Sequence, residues 1–430
     1  MNKVTFDQLQ ETLYHEELPN GLQVYVLPKP GFNKTFATFT TKYGSIDNNF
    51  TPLGEKEALR VPDGIAHFLE HKLFEDEEGD VFQLFSKQGA SANAFTSFTR
   101  TAYLFSSTMN LKENLETLLN FVQKPYFTDE SVEKEKGIIE QEIKMYEDNP
   151  DWRNYFGLIA SMFEKHPVKI DIAGTVKSIH EITKEMLYKC YETFYHPSNM
   201  VFFVVGNLNP EETIQFIREN QAGKEFSKPE KIDRFFDEEP EGVHEKQVKI
   251  PMNVNTGKCL VGFKDRKPDR QGKDLLAYEL SIQLLLEMMF GQSSENYQTL
   301  YEAGLIDDSF SFDYSGEYGF GFSVIGGDSD KPELLGERIS SMVEEFKGKE
   351  LNEELLESIR KKKIGYFLRS LNSPEYIANQ FTRYRFNDMD LFDVIPVLES
   401  ISKQDLQTAL EEHFVVDTQS SQCLITPKGE

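Results

Sequence analysis

What this chain has little of narrows its class before any motif is read. It carries three cysteines, Cys190, Cys259 and Cys423, with no C-x-x-C spacing among them. That excludes a disulfide-stapled scaffold and a cysteine-ligated zinc module, and it fits buried thiols in a reducing interior. Basic residues are in deficit: 46 Lys and Arg against 72 Asp and Glu leave a net charge of -26. So acidic a surface argues against nucleic acid, whose binding needs basic patches that displace counterions. The acidity suits solubility, and it is also compatible with an interior that attracts basic or unfolded peptides. No apolar run approaches the roughly 20 residues that span a bilayer, and mean hydropathy is -0.49. The opening residues Met1 to Asp7 have neither the apolar core of a signal peptide nor the basic character of a transit peptide. A cytoplasmic protein with no membrane partner is expected.

What is present is a chain of 430 residues, enough for two or three domains with proper cores. Its most informative stretch is His67-Phe68-Leu69-Glu70-His71. On a helix, residues four apart share a face, so both imidazoles can point at one metal ion. Glu70 projects to the same side and can take a proton from a metal-bound water. The order H-x-x-E-H is that of the inverzincins. Alone, the string is also compatible with a pair of histidines on a helix surface. A metal site of this kind needs a third protein ligand from another element. The stretch Glu135-Lys136-Gly137-Ile138-Ile139-Glu140-Gln141-Glu142, inside a helical run from Asp129 to Glu147, offers carboxylates.

Before the motif, residues 13–45 read as strands, with an Asn20-Gly21 turn and alternating apolar positions after it. The motif helix is expected from about Gly64 to Phe74, and a strand pair rich in Thr and aromatics from Ser91 to Phe105. Met200 to Gly206 is a continuous apolar run, a strand buried on both faces. Periodicity then disappears between about 221 and 241, where charged residues and prolines predict a linker. The second half repeats the first. Ile182-Thr183-Lys184 answers Ile401-Ser402-Lys403, 219 positions on, and Thr128-Asp129-Glu130 answers Asn352-Glu353-Glu354, 224 positions on. Each of the latter opens a long helix ended by a proline, Pro150 or Pro374. Such similar offsets predict a duplication. At the offset of the motif lies Leu284 to Met289, with no histidine, so one metal site in one half is expected. The remaining histidines, His15, His166, His180, His196, His244 and His413, are expected in loops or at the surface. Asp76-Glu77-Glu78 reads as a solvated acidic turn, and Trp152 as packing on the helix that carries Glu142.

HFLEH, preceded by Pro62-Asp63-Gly64-Ile65-Ala66 and followed about 70 residues on by E-x-x-x-I-x-x-E, resembles the M16 metallopeptidases. The resemblance covers nearly the whole chain. It implies an α+β fold of two homologous domains, each a mainly antiparallel sheet flanked by helices and shaped as a half-shell. The divisions are 1–220 for the catalytic domain, 221–241 for the linker and 242–430 for an inactive copy. It implies one zinc ion per chain, held by His67, His71 and Glu142, with Glu70 as general base and Glu135 as an assisting carboxylate. It also marks Asn93 and Ala94 as substrate contacts on a sheet edge to which a peptide adds as a strand. The implied activity is endopeptidase cleavage of short or unstructured peptides in a closed chamber. One departure matters. Where related peptidases carry an Arg and a Tyr near the cleaved bond, this chain has Tyr301 and Asp307. The resemblance therefore implies a catalytic subunit whose paralogous partner supplies that pair in a heterodimer. A homodimer, or a scaffold that keeps its metal without turnover, are the alternatives.

Overall fold

The computed structural model describes residues 1–77 and 79–428. Its first half runs β1 (Asn2–Phe6), β2 (Glu11–Glu17), β3 (Gln23–Pro28), β4 (Thr35–Thr41), α1 (Ile65–Leu73), α2 (Val81–Lys87), β5 (Ala90–Thr96) and β6 (Thr101–Ser107). It continues through α3 (Leu111–Val122), α4 (Asp129–Glu147), α5 (Pro150–Met162), α6 (Lys184–Phe194), β7 (Met200–Gly206) and α7 (Pro210–Ala222). The second half runs β8 (Gln247–Met252), β9 (Gly257–Lys264), α8 (Gly272–Phe290), α9 (Glu295–Glu302), β10 (Ser311–Glu317) and β11 (Phe320–Ser329). It closes with α10 (Pro332–Lys347), α11 (Glu353–Ser370), α12 (Pro374–Phe386), α13 (Lys403–His413) and β12 (Ser420–Pro427). Shorter helices and two-residue strands between these carry no label.

The fold is α+β, and the duplication is explicit in the sheets. One has the order β1-β2-β3-β7-β4-β6-β5 and the other β8-β12-β9-β11-β10. Without β1 and β2 the two orders are the same. In each, the first and last strands of the set pair in parallel and every other neighbour is antiparallel. The apolar run Met200–Gly206 is buried at every position, as is Thr35–Thr41 beside it. That follows from their central places, where both faces of the sheet are covered.

The chain forms two compact units that do not follow its order. One comprises Met1–Ile143, Asp171–Phe236 and Ser370–Phe386; the other comprises Lys144–Ile170, Asp237–Arg369 and the chain from Asn387 on. Each half thus gives one helix to the unit built mainly by the other. These are the helices that begin at Pro150 and Pro374, the two prolines 224 positions apart. Proline at a helix start is pre-set for helical φ and loses no hydrogen bond there. Asn149 caps the first of them, its Oδ1 accepting from the N–H groups of Asp151 and Trp152 at 2.9 and 3.1 Å. In the second unit α5 lies against β9 and β12, with the Ser161 and Ser421 hydroxyls 2.7 Å apart. Gly157 permits that approach, because a Cβ there would stand 2.7 Å from the Cys423 sulfur. In the first unit α12 covers β7, and the Phe381 ring lies 4.6 Å from Phe203 and 4.8 Å from Tyr25.

Residues 223–241 have little regular structure, yet they are held. Arg234 Nε donates to Asp47 Oδ1 at 2.8 Å in the first unit, and Lys264 Nζ donates to Glu239 Oε1 at 2.6 Å in the second. Trp152 stacks on Tyr146 of α4 with centroids 4.4 Å apart. All three cysteines are buried and unpaired. Among the histidines, His413 departs from expectation. His413 is fully buried in α13, where Nε2 shares a hydrogen bond with Ser323 Oγ at 2.8 Å. His166 and His196 stand in loops as expected, though buried there, and a ring nitrogen of each caps a turn opened by the proline that follows it. Scattered spacing excludes a shared metal but says nothing about burial. Glu78 of the acidic stretch lies outside the described residues, and Asp76 accepts from Lys124.

If α12 seals the first unit's sheet, Phe381→Ala removes a ring that is 3% exposed. The cost expected is about 3–5 kcal/mol of that unit's stability, measured by urea unfolding followed through its tyrosines and phenylalanine packing in near-ultraviolet circular dichroism. A loss below about 1 kcal/mol would mean that the sheet face closes without this helix.

Candidate metal centre

The helix α1 begins where a glycine is required. Gly64 has φ of 88°, and a Cβ on it would stand 2.3 Å from the Ala173 carbonyl oxygen. Gly174 meets the same constraint from the other side, with φ of 77° and an added Cβ 2.4 Å from the Asp63 oxygen. Ser178 Oγ donates to that Asp63 carbonyl at 2.8 Å. This clasp fixes the start of α1 and so the direction of everything on it. Of its nine residues all but His71 are buried. Lys72, fully buried, is paired with Glu75.

His67 and His71 share a face, with ring centroids 4.5 Å apart. From α4, Glu142 presents Oε1 at 3.8 Å from His67 Nε2 and Oε2 at 3.6 Å from His71 Nε2. Donor atoms of the three residues lie within 4.8 Å of one another. These separations are too long for hydrogen bonds, and they approach the ~3.4 Å edge between two ligands about 2.1 Å from a tetrahedral ion. The residues therefore fit a metal. Two turns back on α4, Glu135 Oε1 lies 2.9 Å from His71 Nδ1. With that nitrogen engaged, Nε2 is left to face Glu142, which is how an outer carboxylate orients a ligating imidazole. His67 has no such support: its Nδ1 is buried without a partner among the described residues.

Glu70 is 8% exposed and accepts a hydrogen bond from Thr96 Oγ1 at 2.8 Å. Burial raises its pKa above the usual carboxylate range, against the lowering effect of the Thr96 hydroxyl and of His71. The imidazoles are driven apart. Burial, with His71 beside it, holds His67 down to about 3. Burial also pushes His71 down, but the Glu135 hydrogen bond and the charges of Glu70, Glu135 and Glu142 outweigh it, so His71 is raised. The His71 and Glu142 side chains are the more exposed members, at 27% and 21%, and they mark the open side of the cluster.

The structure thus brings together His67, Glu70, His71, Glu135 and Glu142. Asn93 and Ala94 lie on β5, the end strand of the sheet, whose last residue Thr96 is the one bonded to Glu70. Asn93 is exposed, and its Oδ1 accepts from the Ala94 N–H at 3.0 Å. Thr96 stands in the same Thr-rich stretch, with no signal in the sequence that sets it apart. Nothing in a linear pattern marks which of several threonines meets a helix. Tyr301 and Asp307 belong to the second unit. Tyr301 is 57% exposed, and Asp307 Oδ1 accepts from Ser309 N and Oγ at 2.9 and 2.6 Å, which also lowers its pKa.

Two histidines and a carboxylate from a second helix, set in a duplicated α+β chain, are a donor set that suits a metal ion with one open position. Residues 56–176 match the model of the insulinase (peptidase family M16) domain, and residues 181–363 match the peptidase M16 inactive domain. The chain belongs to peptidase family M16. It is 62% identical over 426 residues to a Bacillus subtilis protein named as an uncharacterized zinc protease, YmfH, covering 99% of each chain. It is 25% identical to the zinc protease PqqE of Helicobacter pylori, over 95% of this chain and 92% of that one. Among solved structures, an M16-like peptidase from Alicyclobacillus acidocaldarius superimposes with a TM-score of 0.94 at 40% identity, covering 97% of this chain and 99% of that one. No described helix is long and apolar enough to cross a membrane.

Two measurements test this electrostatic arrangement. In metal-free protein, imidazole titration by NMR should find His71 titrating above 6.5 while His67 stays neutral down to about 3. A proton on His71 blocks Nε2 as a ligand, so metal affinity is fully available above the His71 pKa and falls as pH drops through it. Glu135→Gln should bring the His71 titration down and weaken zinc binding by roughly 10- to 100-fold, measured by competition with a chelator.

Proposed function

We propose that this chain is a zinc-dependent endopeptidase acting on short or unstructured peptides in a closed chamber. The observation that carries this reading is the convergence of three metal-ligand donors with a buried, hydrogen-bonded Glu70. One zinc ion per chain would be held by His67, His71 and Glu142. Bound there, it supplies Lewis acidity and a water activated near neutral pH. Glu70 takes the proton of the attacking water and returns it to the departing amine. Its burial favours holding a proton between those two events. Glu135 keeps the His71 ring turned and its Nδ1 occupied. A peptide adds along β5 past Asn93 and Ala94, competing with Asn93 Oδ1 for the Ala94 N–H. The catalytic half is residues 1–220, joined through 221–241 to the inactive copy at 242–430.

The second unit offers weak material for stabilising an oxyanion. Asp307 is anionic in character and committed to Ser309, and removing a donor of this kind costs about 10² to 10³ in rate. We therefore place this chain as the metal-holding subunit of a heterodimer whose paralogous partner supplies an Arg and a Tyr, with a homodimer as the alternative. Unpaired, buried thiols are consistent with a cytoplasmic setting. The same observation on Asp307 favours the second reading, a scaffold that holds metal without turnover.

The test is zinc content and cleavage of a quenched peptide library by the purified chain and by Glu70→Gln, each alone and with the partner captured from native lysate. The expected result is about one zinc per chain in both, cleavage by the mixture only, and a loss of about 10² to 10⁴ in rate for the variant. Zinc without cleavage in any combination would establish the scaffold; cleavage by the monomer alone would remove the need for a partner.

A further inference from the structure

The segment that joins the two halves is anchored in the first unit by an arginine. Arg234 Nε donates to Asp47 Oδ1 at 2.8 Å, and its Nη2 donates to the Lys42 carbonyl. The guanidinium also lies 5.2 Å from the centre of the Phe194 ring, which stacks on Tyr43 at 4.1 Å. On either side of it, Thr51 N donates to the Asp233 carbonyl at 3.0 Å and Phe235 N to the Asn49 carbonyl at 2.9 Å. Asp47 is 4% exposed, so its carboxylate depends on this cationic partner. Its Oδ2 accepts from the Gly44 N–H at 2.8 Å, which closes residues 44–47 into a tight loop.

That loop is pressed against the turn between β5 and β6. A Cβ on Gly44 would stand 2.3 Å from the Phe98 carbonyl oxygen, so a glycine is needed for the two backbones to meet. Ser45 N donates to the Ser97 carbonyl at 3.0 Å and Ile46 N to the Phe98 carbonyl at 3.1 Å. The turn begins immediately after Thr96, whose hydroxyl donates to Glu70 Oε2 at 2.8 Å. Tyr43 supplies a second link. Thr101, opposite Thr96 across the hairpin, donates its hydroxyl to the Tyr43 carbonyl at 2.9 Å and lies 3.4 Å from the Thr96 hydroxyl. A series of hydrogen bonds and one close backbone contact therefore runs from Arg234 to Glu70, all of it within the first unit.

We propose that Arg234 is a positioning residue for Glu70, acting through Asp47, the turn of residues 97–100 and Thr96. The inference rests on Glu70 being the general base. A base works only within hydrogen-bond reach of the proton it takes. A misplacement of about 1 Å caused by a distant change can cost roughly 10²-fold in rate. Thr96 closes the end strand of the sheet, which has a paired strand on one side only, and loop 44–47 holds the turn beyond it. Removing the guanidinium leaves Asp47 buried without its cation, loosens that loop and lets Thr96 move. By this route the joining segment acts on the site from a distance.

The experiment has two readouts on the full chain. In the metal-free protein with labelled threonine methyl groups, Arg234→Gln should displace the NMR signals of Thr96 and Thr101. Those of Thr299 and Thr408 in the second unit should stay in place. In the zinc-loaded chain with its captured partner, the same variant should lower kcat at least tenfold, with KM within twofold and zinc affinity within threefold. Thr96→Val should give a similar loss, and Thr96→Ser, which keeps the hydroxyl, should restore most of it. If Arg234→Gln does not fold, Arg234→Lys serves in its place, with smaller effects in the same direction. If the unaltered chain cleaves nothing in any mixture, the peptidase reading fails, and the methyl signals alone decide the coupling. An unmoved Thr96 signal in a folded variant, an unchanged kcat, or a loss seen only in KM or zinc affinity overturns the proposal.

Discussion

The centre of this molecule depends on burying polar groups that must remain polar. Eight of the nine residues of α1 are buried, among them an imidazole, a carboxylate and an ammonium group. Such groups are costly to desolvate unless each meets a partner. The fold meets the requirement one group at a time: Glu75 for Lys72, Thr96 for Glu70, Glu135 for the imidazole of His71. His67 is the exception, neutral through burial and lacking a partner for Nδ1. The two nitrogens that remain directed at Glu142 are those that a metal ion would use. Because carboxylates outnumber imidazoles here, the cluster carries negative charge that a divalent cation would offset, which is a reason for these residues to be tolerated together.

Fixing that arrangement takes contacts distant in sequence. The Gly64–Gly174 clasp sets the start of α1 from a loop more than a hundred residues later, and α4 must bring Glu135 and Glu142 to the same place. The duplication explains how one chain keeps both a copy with metal-ligand donors and an altered copy of one design. Each half retains the five-strand topology and the helix that passes to the other unit. The second half differs at the position of the motif, where α8 is apolar nearly throughout, with Leu284, Leu285 and Leu286 all fully buried. Beneath α5 the second unit has a cavity of about 300 Å³ with Asp151, Asp313 and Asp328 among its lining residues. There an exchanged helix brings Asp151 and Asn154 to a sheet that belongs mostly to the other half.

Much of this was legible in the residues. A period of four on a helix puts His67 and His71 together, and the repeated offsets predict the duplication seen in the two sheets. The run Met200–Gly206 is the strand it reads as, and Asp129–Glu147 is a helix over its whole expected length. Other features were not legible. The helix Pro150–Met162 lies where the linear pattern shows only a proline break, and its membership in the second unit follows from packing. Scattered spacing puts His413 in a loop or at the surface, but it stands on α13, on the face turned to Ser323.

By itself, then, the sequence determined the local chemistry: which residues can ligate a metal, where helices begin, and that one design occurs twice. These depend on periodicity and on residue type, which act over a few positions and can be read in one dimension. Only the tertiary structure decided which threonine holds Glu70, which imidazole keeps its proton and which helix covers which sheet. Those outcomes come from burial and from groups brought together from 26 to 178 positions apart in the chain, as with Thr96 on Glu70, Glu135 on His71 and Phe381 on Phe203. Desolvation and Coulomb interactions depend on distance in space, and no linear pattern carries that distance.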